Sequence, residues 1–314
     1  MQEKVSPWSI GASLYMPATR LDLVNVIVNQ KYEGLKSLIL CLEDSVKEDD
    51  LEFAMQNLQE ALNKITQMLA KHPHKVKKLP LIFIRPRNLE VAKWVTENVE
   101  LAHVTGFVIP KFDGQVIESW WEIIQSTDLK IMPTLESQDV YDVMAMMQLA
   151  NDLVQHPCGQ RIIVLRIGGN DLMNGLRLRR DRTLTLYDGP LGYVIKMLVT
   201  VFVPKGFYLT APVCEHFENM DLLAQEVKLD LMHGLVGKTI IHPKQIDILN
   251  ELYQVSSEEY DDAEYIIGAT EAVFKQNGSM CEPITQCHWA EEIMARSKYF
   301  GVHCWKNEQI KYYD

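Results

Sequence analysis

The chain has 314 residues, 47% of them hydrophobic and 23% charged, with a formal net charge of −11 at pH 7. That composition fits a folded globular protein of a length ordinary for one α/β barrel, which needs about 250 residues plus insertions. The acidic balance argues against general nucleic-acid binding, which relies on excess Lys and Arg, yet it leaves room for a basic pocket that takes a small anion. No stretch approaches the roughly 20 apolar residues of a membrane span. Met1 to Pro7 lacks the apolar core of a secretory signal, so a cytoplasmic protein that uses no membrane is expected.

Short apolar runs alternate with amphipathic segments. The runs expected as strands are Ile10 to Met16, Ser37 to Leu42, Leu79 to Arg85, Gly106 to Ile109, Lys130 to Leu135, Arg161 to Ile167, Gly206 to Ala211 and Gly237 to Ile241. Helical patterns between them include Leu21 to Asn29, Asp50 to Leu69 and Val140 to Gln155. This alternation implies parallel strands with crossover helices, and eight strands is the count of a closed (β/α)₈ TIM barrel. A doubly wound open sheet would announce itself by a glycine-rich turn after its first strand. Here that strand ends Met16-Pro17-Ala18-Thr19-Arg20, without glycine. Lys71 to Lys78 reads as a basic connecting loop. After Ile246 the chain is helical, with one helix from Ser256 to about Lys275, a break at Gly278 and another helix near Thr285 to Tyr299. The expected division is a catalytic barrel over 1–250 and a helical extension over 251–314 that covers the site or forms an oligomer.

Six cysteines, at 41, 158, 214, 281, 287 and 304, form no CxxC pair and read as reduced, mostly buried thiols. The spacing of Cys281, Cys287 and His288 matches no common zinc site. Asn277-Gly278-Ser279 fits a glycosylation sequon that has no meaning without secretion.

In such barrels the chemistry sits at the carboxyl ends of the strands. Those ends carry Arg20, Glu43, Asp44, Arg85, Arg87, Lys111, Glu136, Asn170 and Asp171, with His242 and Gln245 after the eighth. Glu136 and Asp171 each close a buried apolar run, and two acids on neighbouring strands can share one Mg²⁺, which keeps several waters and takes one or two carboxylates. Arg85 has the planar fork that matches a substrate carboxylate. Gly168 and Gly169 allow close approach of the backbone and present N–H donors to charge developing on a substrate oxygen. Glu43 and Asp44 would orient Arg20, Arg85 or metal-bound water. Arg177, Arg179, Arg180 and Arg182 crowd the loop after the sixth strand, either as a solvated basic loop or as a phosphate site. Gly237-Lys238-Thr239 looks like the end of a P-loop, but the glycine required five residues earlier is Met232, which excludes ATP hydrolysis on that motif.

With these residues in place, the chain resembles the citrate lyase β-subunit-like family, the HpcH/HpaI aldolase group of metal-dependent C–C lyases. The resemblance runs from about Ser13 to Gly301. It rests on Met16-Pro17-Ala18-Thr19-Arg20, Leu42-Glu43-Asp44-Ser45-Val46, Pro110-Lys111, Leu135-Glu136-Ser137, Gly169-Asn170-Asp171 and Gly237 to Gln245. It implies a barrel of the phosphoenolpyruvate/pyruvate type, Mg²⁺ at Glu136 and Asp171, and Arg85 on the substrate carboxylate. It also implies cleavage of a 3-hydroxy acid, often as a coenzyme A thioester, by trimers or hexamers. Arg85-Pro86-Arg87-Asn88 has one residue more than the family's usual Arg-x-Asn, which lets Arg87 take the carboxylate role. Gly278 to Glu282 looks like the family's C-terminal segment that supplies an acid to a neighbouring subunit, with Glu282 for Asp and no lysine. The arginine-rich loop with Tyr187-Asp188 resembles the bacterial C–C bond lyase branch found in tellurite-resistance clusters. The site set expected to touch substrate is thus Arg85, Arg87, Lys111, Gly169, Asn170, Arg177 and Arg179, with Arg20, Glu43 and Asp44 beside Arg85 in the catalytic set. The leading function is a Mg²⁺-dependent C–C lyase or aldolase on a small anionic substrate. The alternatives are a thioester hydrolase on the same barrel and a non-catalytic anion-binding partner of another enzyme.

Overall fold

The eight apolar runs form strands β1 (Gly11–Pro17), β2 (Ser37–Cys41), β3 (Leu81–Arg85), β4 (Gly106–Ile109), β5 (Lys130–Leu135), β6 (Leu165–Ile167), β7 (Leu209–Thr210) and β8 (Gly237–Ile240). This computed structural model describes residues 5–303; the expectations that fall on Met1 to Lys4, on Cys304 and on 305–314 lie outside them. Every ladder is parallel, in the order β7-β6-β5-β4-β3-β2-β1-β8. The two ends meet through a parallel bridge between Ala211 and Lys238. There the Ala211 amide donates to the Gly237 carbonyl at 2.7 Å and the Thr239 amide to the Ala211 carbonyl at 3.2 Å. The sheet is therefore a closed (β/α)₈ barrel without free edges. A parallel strand covered on both faces needs a continuous apolar run rather than an alternating one. β2 shows this, with all five residues buried.

Helices α1 (Leu23–Val28), α2 (Leu51–Lys71), α3 (Leu89–Asn98), α4 (Ile117–Ile124), α5 (Val143–Gln155), α6 (Gly169–Gly175), α7 (Pro190–Phe202), α8 (Met220–Met232) and α9 (Gln245–Leu252) follow the strands. In α2 the buried residues Ala54, Leu58, Ala61, Leu62, Ile65 and Leu69 recur at helical spacing and form its inner stripe. Asn88 caps α3 by accepting from the Val91 amide at 3.0 Å, and Asp142 caps α5 through the Met144 amide at 2.8 Å. Asp142 is why α5 starts at Val143 rather than at Val140; Gln138–Tyr141 is a separate 3₁₀ turn. Pro73–Lys78, read as an open loop, is also a 3₁₀ turn.

Strands six and seven are shorter than the sequence suggests. Pro157–Arg161 is a 3₁₀ turn, and only an isolated bridge between Ile131 and Ile162 precedes β6. Gly206 has φ +87° and closes the turn after Val203–Lys205, so β7 begins at Leu209. Lys238 is fully buried on β8, so the Gly-Lys-Thr triplet is a strand and not a phosphate loop. Its Nζ donates to Asp230 at 2.8 Å and to Glu226 at 3.3 Å, both on α8. Glu226 also takes Arg180 Nη2 and the Leu186 amide, and Tyr187 donates to Asp230 at 2.6 Å.

By its contacts the chain divides into two units at residues 249 and 250. The second has its own core of Val255, Ala263, Ile266, Cys281, Ala290 and Ile293. It contains β9 (Val255–Ser256), α10 (Ser257–Gly268), β10 (Phe274–Gln276), β11 (Ser279–Cys281), α11 (Pro283–Phe300) and β12 (Val302–His303). The helix expected to reach Lys275 stops at Gly268, and the next segment is a hairpin of β10 on β11. Asn277 and Gly278 both have positive φ, +46° and +79°, as a two-residue type I′ hairpin turn requires. Among the described residues no helix is long and apolar enough to cross a membrane.

Removing one member of a buried ion cluster leaves its partners charged and dry. Lys238→Met should therefore destabilise the fold by about 3–5 kcal/mol, as read from urea unfolding. A loss under about 1 kcal/mol would show that Glu226 and Asp230 do not depend on this lysine.

Candidate active site

The carboxyl ends of the strands open on a cavity of about 260 Å³, lined by Tyr15, Asp44, Arg85, Thr134, Glu136, Arg166, Gly168, Gly169, Asn170, Asp171 and Thr239 among others. A larger cleft of about 780 Å³ lies beside it and shares Asp44; its walls include Glu43, Arg87, Asn88, Lys111 and Trp120.

Arg85, the last residue of β3, is the hub. It is 5% exposed. Its Nε donates to Glu43 Oε2 at 2.5 Å, Nη2 to Glu136 Oε1 at 3.1 Å and to Asp44 Oδ2 at 3.4 Å, and Nη1 to the Tyr15 hydroxyl at 3.2 Å. Burial opposes its charge, but Tyr15, Glu136 and Glu43 outweigh that and hold it firmly protonated. Glu43 is buried, and burial pushes its carboxyl upward against the pull of Arg85. Asp44, in the turn that follows β2, also accepts from Arg85 but keeps its side chain 69% exposed.

Glu136 follows β5 and is 7% exposed. Both of its hydrogen bonds fall on Oε1, from Arg85 and from the Lys111 amide at 2.9 Å. Oε2 lies against Gly168, where a Cβ would come within 2.3 Å of it. Only glycine lets the chain after β6 pass this close to the carboxylate. Asp171, in the first turn of α6, lines the same cavity. Burial pushes the Glu136 carboxyl up to about 7, with Asp171 and Glu43 adding to it and Arg85 and the Lys111 amide opposing. Two acids sharing one cavity, one of them with an oxygen outside its hydrogen bonds, fit a hard divalent cation that takes one or two carboxylates and keeps its water. Among the described residues no group of three or more His, Cys, Asp or Glu side chains forms a denser metal site.

The structure brings Arg85, Glu43, Asp44, Glu136, Gly169, Asn170 and Asp171 together at these two cavities, Glu43 on the wall of the larger one. Lys111 contributes its amide, in a backbone of φ +46°, while its side chain stays exposed. Arg87 sits in the larger cleft, held by Glu48 and by the carbonyl of Val46 at 2.5 Å. Arg20 lines neither cavity; its fork is taken by Asp22 in two bonds of 2.8 Å. Arg177 and Arg179 are exposed and also line neither. Of that loop's arginines, Arg180 is buried and pinned to Glu226 and to the Val213 carbonyl. Gln245 is a clasp, its Oε1 accepting the Ile241 and His242 amides and its Nε2 donating to the Cys214 carbonyl at 3.0 Å. His242 stacks on Phe217 with ring centroids 4.8 Å apart.

Sequence reasoning missed Tyr15, Thr134, Arg166 and Thr239, which all line the smaller cavity. The one signal in the sequence was a charged residue inside an apolar run, Arg166 in Leu165-Arg166-Ile167.

Residues 4–302 match the family of C–C bond lyases of the TIM-barrel fold. The chain is also similar to a (3S)-malyl-CoA thioesterase of Cereibacter sphaeroides, 25% identical over 266 residues that make up 82% of each chain. Among solved structures it is similar to a citrate lyase of Burkholderia xenovorans, with a TM-score of 0.71 and 12% identity over 98% of this chain and 96% of that one. It is likewise similar to the CitE protein of Mycobacterium tuberculosis in complex with magnesium, acetoacetate and coenzyme A, with a TM-score of 0.64 and 19% identity over 93% of this chain and 99% of that one. At these identities the two structures speak to the fold alone. The family match spans nearly the whole chain and coincides with a closed barrel whose strand ends gather acids around one arginine, so the chain belongs to the C–C bond lyases of the TIM-barrel fold.

Proposed function

We propose that this protein is a Mg²⁺-dependent C–C lyase that cleaves or forms a 3-hydroxy acid, or its coenzyme A thioester. The observation that carries this reading is the pairing of Glu136 and Asp171 on one small cavity that also holds Arg85 and Arg166. The magnesium and coenzyme A in the complex of the similar CitE protein support it. A bound Mg²⁺ would supply Lewis-acid stabilisation of the negative charge that develops on a substrate carbonyl oxygen as the C–C bond breaks.

The protein's own groups do the rest. Glu43 and Glu136 hold the guanidinium of Arg85 from two sides, so the positive charge next to the cavity is fixed before substrate arrives. Cleavage removes the proton of the 3-hydroxyl and leaves the departing carbon to be protonated. Asp44 is the acid open to both cavities, and we assign it that exchange. The larger cleft beside Asp44 has the room for a thioester handle that the smaller cavity lacks.

Hydrolysis of a thioester on the same barrel is the second reading, favoured by the name of the thioesterase relative. Incubation with Mg²⁺ and malyl-CoA separates the two: C–C cleavage yields glyoxylate and acetyl-CoA, hydrolysis yields malate and free coenzyme A. We expect the former pair, and malate as the sole acid would overturn the lyase reading.

Glu136→Gln should abolish Mg²⁺ binding by calorimetry while leaving the circular dichroism spectrum unchanged; unaltered affinity would remove Glu136 from the metal site. In the metal-free protein this carboxyl keeps its proton up to about pH 7, and only the ionised form holds a cation. Mg²⁺ binding should therefore release a proton, and affinity should fall by up to about tenfold per unit as the pH drops below 7. Affinity that stays flat between about pH 5 and 8 would contradict this.

A further inference from the structure

The ladders of β5, β6 and β7 set Thr134 beside Arg166 and Arg166 beside Thr210. Paired positions on adjacent parallel strands present their side chains to the same face of a sheet. Each of the three has a buried polar atom without a hydrogen-bond partner: Thr134 Oγ1, Arg166 Nη1 and Thr210 Oγ1. Thr134 and Arg166 line the smaller cavity. Native proteins rarely leave such atoms unmatched, because each loses its water without gaining a bond.

Arg166 is 1% exposed. Its Nη2 donates to Thr239 Oγ1, and its guanidinium lies 5.3 Å from the centroid of the Tyr15 ring. The other buried cations of the barrel are matched by acids: Arg85 by Glu43 and Glu136, Arg180 by Glu226, and Lys238 by Glu226 and Asp230. Among the described residues no carboxylate forms an ion pair with Arg166. Burial pulls its pKa below the usual arginine value, the direction expected for a charge with too little compensation. Arg85 already donates from all three of its nitrogens, two of them to acids.

We infer that Arg166, flanked by the hydroxyls of Thr134 and Thr210, is the clamp for the substrate's carboxylate. The substrate is then a small oxyacid whose carboxylate enters the smaller cavity, while Arg85 stays a positioning residue for Glu136. A planar guanidinium fork with two hydroxyl donors matches the four lone-pair sites of a carboxylate. The cavity's volume of about 260 Å³, a third of that of the neighbouring cleft of about 780 Å³, suits a small acid. The inference rests on the proposed function for the location of the site, and not on the metal.

Calorimetric titration of wild type, Arg166→Met and Arg166→Lys at pH 7, with oxaloacetate and separately with Mg²⁺, tests it. The Met variant should bind oxaloacetate at least about 30-fold more weakly, the Lys variant should fall between, and all three should bind Mg²⁺ alike. The Met variant should melt at or above the wild-type temperature, because an unmatched buried charge is gone; a purely structural arginine would lower it. Should the Met variant fail to fold, Thr134→Val takes its place, with a loss of about threefold or more. Oxaloacetate affinity within about threefold of wild type in the Met variant overturns the proposal. So does a wild type that binds inorganic phosphate but none of oxaloacetate, pyruvate and malate, or that binds none of these. Absent Mg²⁺ binding with Arg166-dependent oxaloacetate binding refutes the metal reading and leaves this one standing. Normal Mg²⁺ binding with Arg166-independent oxaloacetate binding does the reverse.

Discussion

At the carboxyl ends of β2, β3 and β5 the guanidinium of Arg85 meets Glu43 at 2.5 Å, Glu136 at 3.1 Å and Asp44 at 3.4 Å. Two of these acids are buried, and without a cation between them each would keep its proton or be driven toward water. The pair energies in such a cluster are largely spent on desolvation, so its contribution lies more in geometry than in net stability. Here the geometry has a use. By binding only Oε1 of Glu136, Arg85 and the Lys111 amide turn the other oxygen toward Gly168 and the end of β6. Arg85 would thus set the position of the proposed metal site through Glu136 without being one of its ligands.

The same device recurs around β8, where Lys238 and Arg180 share Glu226 and Lys238 also binds Asp230. It ties the loop after α6 to α8 and to the last strand, and so holds the closing seam of the barrel in register with the mouth. Arg166 departs from both patterns. It has the burial of a structural arginine and the unmatched donor of a binding one.

The barrel was legible because eight apolar runs separated by helical periodicity leave few other topologies. Glu136, Asp171 and Arg85 were legible because an acid or a base at the end of a buried run has few structural reasons to be there. Other positions were not. A continuous apolar run hides which residues face inward, so Arg166 stood out by its charge but not by its place on the cavity wall. Lys111 acts through its amide, which no side-chain pattern reports. The arginines of the loop after α6 read alike, and what separates Arg180 from Arg177 and Arg179 is an acid 46 residues further along the chain. Arg20 was drawn into the site by its place after β1, but Asp22 two residues away captures its fork first. The Asn277-Gly278 turn was present as a hairpin signal and was obscured by the helical composition before it.

Glu136 and Asp171 would hold one hard cation jointly at the mouth of the barrel. The most direct measurement is a crystal structure of the protein soaked with Mn²⁺, which takes the same oxygen donors and scatters anomalously. A single anomalous peak is expected in the smaller cavity in contact with both carboxylates, with Arg85 still bound to Glu43 and Glu136. A peak that touches neither acid, or no peak at millimolar Mn²⁺, would contradict it.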